Sequence, residues 1–102
     1  MKIYNVVFKA TVFDEIAAIK DFIVSVASKE LALKYVDELE QEVYALSYLA
    51  PCVSDTDSSI VKQYHPNARK IITHNKKWTI IFHIDGDYVI IDKIIPSKMI
   101  IA

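Results

Sequence analysis

Three histidines, one cysteine and a lysine pair beside a tryptophan are the residues of this chain best suited to chemistry. His65, His74 and His83 are evenly spaced, nine residues apart. That spacing has no metal-site logic on strands, and neither HExxH nor CxxC occurs, so neither a metal site nor a cofactor is expected. His83 alternates with Ile81 along a β-rich run. It reads either as a half-buried strand histidine or, because imidazole titrates near neutrality, as a proton-transfer group. His65 carries the same two readings. Cys52 follows Pro51 and has no basic neighbour in sequence, so it reads as an inert thiol. As the only cysteine it excludes an internal disulfide framework. Lys76-Lys77 beside Trp78 pairs cations with an aromatic, which suits a nucleic-acid backbone and base stacking. The plain alternative is a lysine-bearing turn followed by a core tryptophan. GxSxG is absent. Gly86 is the only glycine, which excludes a P-loop or a dinucleotide fingerprint. Asp14 and Glu15 have a helix-start explanation, and no carboxylate pair calls for acid–base chemistry.

These residues must be positioned by a small set of elements. Residues 2–9 (KIYNVVFK) alternate as a strand does. Thr11 stands three before Asp14, close to a capping box, so a helix is expected from near Val12. Ile16, Ile19, Ile23 and Val26 form its apolar stripe, widened by Phe13 and Phe22. Ser28 can cap a second helix, in which Leu31, Tyr35, Leu39, Val43 and Leu46 are apolar. Its opposite face carries Asp37, Glu38, Glu40 and Glu42, and Pro51 closes it. So short a connection, Ala27–Lys29, predicts an antiparallel helical hairpin. Residues 52–59 read as a loop, 60–64 (IVKQY) as a short strand and His65-Pro66-Asn67 as a turn. Residues 68–74 and 77–84 are β-rich runs around Asn75-Lys76. Asp85-Gly86 signals a tight hairpin into a strand over 87–95, which Pro96 ends. The fold class is α+β: an N-terminal strand, then a helical hairpin packed on a twisted, mainly antiparallel sheet of about four strands. Periodicity does not place the first strand in that sheet.

The chain has 102 residues, 53% of them hydrophobic, and a formal charge of −1. That size suits one domain over residues 1–102, and the charge excludes a uniformly basic nucleic-acid binder. No signal peptide is recognisable, and no apolar run approaches the ~20 residues that span a bilayer. The net charge hides a split. Residues 1–59 carry five lysines and ten acids, while residues 60–102 carry seven basic residues and three acids. The basic half either serves solubility or meets a polyanion or an acidic partner segment.

Several strings together resemble the RelE/ParE superfamily, the toxins of type II toxin–antitoxin (plasmid stabilisation) systems. The strings are the opening strand YNVVFKA, the helices FDEIAAIKDFI and ALKYVDELEQEVYAL, and the hairpin ARKIITHNKKWTIIFHIDGDYVIIDKII, most characteristic at its Asp85-Gly86 turn. The resemblance spans about residues 3–98. It implies a cytoplasmic toxin neutralised by a cognate antitoxin, with no membrane partner. One branch of the family is an mRNA interferase, a metal-independent endonuclease acting on the translating ribosome. The other inhibits DNA gyrase. A third outcome is a degenerate toxin that only binds its antitoxin.

Carried onto this sequence, the nuclease branch implies Lys62, His65, Arg69, Lys77, His83 and Lys98 as catalytic candidates. The cations would stabilise phosphate charge and a histidine would act as acid or base. Lys70, Lys76 and Trp78 are the candidates for partner or RNA binding. Arg69-Lys70 matches a basic pair common to both branches. A frequent family arginine falls on Thr79. The basic position after the last strand is Lys98, which lacks the bidentate fork of arginine. The C-terminal tyrosine of the nucleases has no counterpart in Met99–Ala102.

Overall fold

The computed structural model describes residues 2–54, 56 and 58–97. Four strands, β1 (Asn5–Phe8), β2 (Arg69–Ile72), β3 (Trp78–Asp85) and β4 (Tyr88–Pro96), form one sheet in the order β1-β4-β3-β2. β3 and β4 lie in the middle because their apolar runs suit burial on both faces: Ile80, Ile81, Phe82, Val89 and Ile91 are all fully buried. β1, which periodicity could not place, pairs parallel with β4, from Asn5 opposite Tyr88 to Phe8 opposite Ile91. The other pairings are antiparallel. Gly86 takes φ +58° at the first central position of the β3–β4 turn, as a II′ turn requires. Lys2 Nζ meets Asp87 Oδ1 at that turn at 2.9 Å. This hydrogen bond raises the lysine pKa, outweighing the opposing desolvation, and both groups are exposed enough that the pair adds little stability.

Helices α1 (Ala10–Val26) and α2 (Lys29–Tyr44) form the expected hairpin, and Ser28 caps α2 by accepting from the Leu31 N–H at 3.1 Å. They lie on one face of the sheet. Val12, Ile19, Leu39, Val43 and Leu46 meet Ile80, Phe82, Val89, Ile91 and Ile94 in the main core. After α2 the chain breaks into α3 (Leu46–Leu49) and a 3₁₀ turn at Ala50–Cys52 that includes Pro51. The turn from β2 to β3 is tied to α2, with His74 N–H donating to Glu42 and Asn75 Nδ2 donating to the Tyr35 hydroxyl.

Several sequence-based expectations are corrected. α1 starts at Ala10, with Lys9 as an extended cap residue and no side-chain cap, so Thr11 does not initiate it. Val12, in its first turn, is buried in the main core. Glu15, read as a helix-start residue, accepts from the Ile94 N–H at 3.0 Å and so satisfies β4 where β1 no longer pairs with it. Phe13, Phe22, Val26 and Leu31, expected in the buried stripes, are exposed. The buried line along α1 runs Val12, Ile16, Ile19, Ile23, and at about 100° per residue Phe13 and Phe22 fall on its flanks. Residues 60–64 hold no strand. Ser58 caps a short helix, α4 (Ser59–Lys62), accepting from the Val61 N–H at 3.4 Å. Val61, Tyr64 and Ala68 then cover Ile81 and Ile95 on the opposite sheet face.

Candidate functional site

The face of the sheet opposite the helical hairpin holds a buried polar cluster. His83 sits on β3, and its Nδ1 is 2.7 Å from Asp92 Oδ2 on β4. A register shift brings them together. Ile81 pairs with Lys93 but Phe82 with Ile91, leaving Asp92 as the extra residue of a β-bulge. Bulges re-aim side chains, and this one buries a carboxylate whose side chain is fully shielded. Its other oxygen lies 2.8 Å from Lys9 Nζ, close enough for an ion pair although not aligned as a hydrogen bond. His65, on the turn after α4, lies flat on His83 with ring centroids 3.7 Å apart and planes 2° apart. His65 Nδ1 accepts from the Asn67 N–H at 3.0 Å, which fixes its ring orientation. A histidine oriented by a carboxylate can accept and return a proton. Here the His83 side chain is only 7% exposed and lies under the His65 ring, so a substrate reaches it only if His65 moves.

The other candidates are scattered. Lys62 ends α4, and its Nζ lies 3.4 Å from the Pro66 carbonyl, on the segment that carries His65. Arg69 pairs in register with Phe82 and so faces the helical side, away from His83. Its guanidinium donates to the carbonyls of Ala50 and Val53 at 3.3 and 3.1 Å, pinning the loop after α3. Lys70, one residue on, takes the opposite face. Lys76 occupies the β2–β3 turn at φ +64°. Lys77 Nζ lies 5.8 Å from the Tyr35 ring centroid, a cation–π contact with α2. Trp78 packs half-buried against the main core. Lys98 lies outside the described residues. The fold thus joins His65 to His83, keeps Lys62 on the same segment, and separates Arg69 and Lys77 from them.

Asp92 and Lys9 belong to the cluster and were not among the sequence candidates. The signal was present: Asp92 interrupts the apolar run YVIIDKII, and a charge in a strand covered on both faces needs a partner.

No protein-family model and no curated protein matches the sequence. The fold does have a counterpart among solved structures. A chain of the structure described as "Chromosomal ParDE TA system from P. aeruginosa" superposes with a TM-score of 0.79, over 92% of this chain and 96% of that one, at 20% identity. The chain has a RelE/ParE-like fold. In RelE/ParE terms, the strand–hairpin–sheet order expected from sequence is the observed one. At this level of identity the likeness is one of fold.

Proposed function

We propose that residues 1–102 form the toxin component of a type II toxin–antitoxin system, held inactive by a cognate antitoxin. We propose further that it acts in the cytoplasm by binding its target rather than by cutting RNA. The fold match supports the toxin assignment. The observation that carries the binding mode is the fate of Arg69, the one arginine of the chain. Its guanidinium Nη1 donates to two backbone carbonyls on the helical side, so the side chain holds structure there and is turned away from the histidines. Without it the histidine cluster has no bidentate group to stabilise a phosphate in flight. DNA gyrase, the target of the ParE branch, is the target this mode favours. Among the described residues no helix is long and apolar enough to cross a membrane.

The second reading, an mRNA endonuclease, is favoured by one observation, the Asp92–His83–His65 stack. Induced expression in a bacterial host separates the two. Growth arrest with intact mRNA and loss of plasmid supercoiling supports the binding mode, and codon-phased mRNA cuts support the nuclease.

A further inference from the structure

The turn that carries His65 closes over the His83–Asp92 pair through a contact that tolerates one charge state of the covering ring. The His65 ring lies flat on His83, with centroids 3.7 Å apart. Its Nδ1 accepts from the Asn67 N–H at 3.0 Å. An accepting ring nitrogen carries no proton, so in this arrangement His65 is the neutral tautomer with its hydrogen on Nε2. Protonation makes Nδ1 a donor that points at another donor, and the bond to Asn67 is lost. It also puts a positive ring flat against His83, and once His83 is charged too the pair repel at stacking distance.

The surrounding groups do not offset this. Lys62 and Tyr64 stand on the same segment as His65. Lys70 on β2 and Lys9 on β1 lie on the His83 face of the sheet. Of the carboxylates there, Asp92 on β4 already lies between His83 and Lys9, and Asp85, two residues along β3, is exposed to water. Carboxylates, lysines and phenols ordinarily keep one charge state between about pH 8 and 5, whereas imidazole changes its charge there.

We infer that His65 is a pH-operated latch over the His83–Asp92 pair, closed while its ring is neutral and open once the ring gains a proton. The closed form binds one proton fewer than the open form. Closure is therefore complete at the alkaline end of the imidazole range and weakens as pH falls through it, by at most about tenfold per pH unit. The moving part is the ring with its turn, not the whole cover. Val61 and Ala68, on either side of His65 in sequence, are fully buried against Ile81 and Ile95, and they keep the segment docked while the ring swings away. Opening bares a carboxylate-bound histidine whose side chain is otherwise shielded. The latch needs neither a target nor a partner, so it stands apart from the toxin reading above.

Nuclear magnetic resonance of the full chain at about pH 8 and about pH 5 tests it. At the higher pH, long-range proton–nitrogen correlation should show His65 protonated on Nε2 and bare on Nδ1. The ring protons of His65 and His83 should give a strong cross-relaxation peak. At the lower pH that peak should be lost and the Asn67 amide should shift as its acceptor goes, while the Val61 and Ala68 methyl signals stay in place. In His65→Phe the introduced ring has no nitrogen to titrate, so its contact with His83 should persist at both pH values. A proton on His65 Nδ1 at the higher pH, a ring cross-peak of unchanged strength at the lower, or an equal loss of contact in His65→Phe each overturns the latch. Loss of the Val61 and Ala68 signals together with the cross-peak would mean that acid unfolds the whole segment, and overturns it too.

Discussion

Asp92→Ala is the substitution that most directly probes the buried cluster. It removes the partner of His83 Nδ1 and the counter-ion of Lys9. His83 is 6% exposed, so its ring nitrogen cannot turn freely to water. A buried donor left unpaired costs about 1–3 kcal/mol. Lys9 is different: its side chain is 46% exposed, water can re-solvate the ammonium, and its share is about 1 kcal/mol or less. The expected loss is therefore about 1–4 kcal/mol, which at about 5 °C per kcal/mol for a domain of about 100 residues lowers Tm by roughly 5–20 °C. Thermal and urea melts of the two proteins measure it. His83→Phe removes the donor and strands the Asp92 carboxylate, whereas the double variant Asp92→Ala/His83→Phe leaves neither group without its partner, so it should lose less than the sum of the single losses, by about 1 kcal/mol or more. A loss under about 0.5 kcal/mol for Asp92→Ala, or strictly additive single losses, would refute the claim that the bulge exists to pair these groups.

Leu39→Ala should cost about 2–5 kcal/mol because Leu39 is 2% exposed in the main core, whereas Leu31→Ala, at a half-exposed site of the same helix, should cost under about 1 kcal/mol. Chemical denaturation of both variants checks the contrast, and equal losses would contradict the packing described. Arg69→Ala should release the Ala50 and Val53 carbonyls and lower stability by about 1–2 kcal/mol. Limited proteolysis should show faster cleavage in the segment following Val53, and unchanged cleavage would show that the guanidinium does not hold that loop.

What could be read in the sequence followed from local periodicity and capping. The buried residues Ile19, Leu39, Val43 and Leu46, the Ser28 cap and the Gly86 turn each rest on spacings within one element. What could not be read depends on pairing between distant segments. The parallel partner of β1 is 83 positions away, at Asn5 opposite Tyr88. The IVKQY run is too short for its period to separate helix from strand, and the Ser58 cap with burial of Val61 decided for helix. Arg69 and Lys70 look equivalent in sequence, yet strand alternation sends them to opposite faces, and only the register with Phe82 and Ile81 says which is which. The His83–Asp92 contact likewise depends on a one-residue bulge within β4. His65 reaches the same spot only because α4 folds back over the sheet.

The central claim is that this fold acts as a toxin by binding, and the most direct test is to map mRNA 5′ ends by primer extension in a bacterial host after induction, with growth followed in the same culture. Growth arrest with intact mRNA is expected, and the same arrest with His65→Ala, because a toxin that acts by binding uses the histidine stack only as structure. Codon-phased cleavage that disappears in His65→Ala would contradict it and make the stacked histidines the working centre of a nuclease.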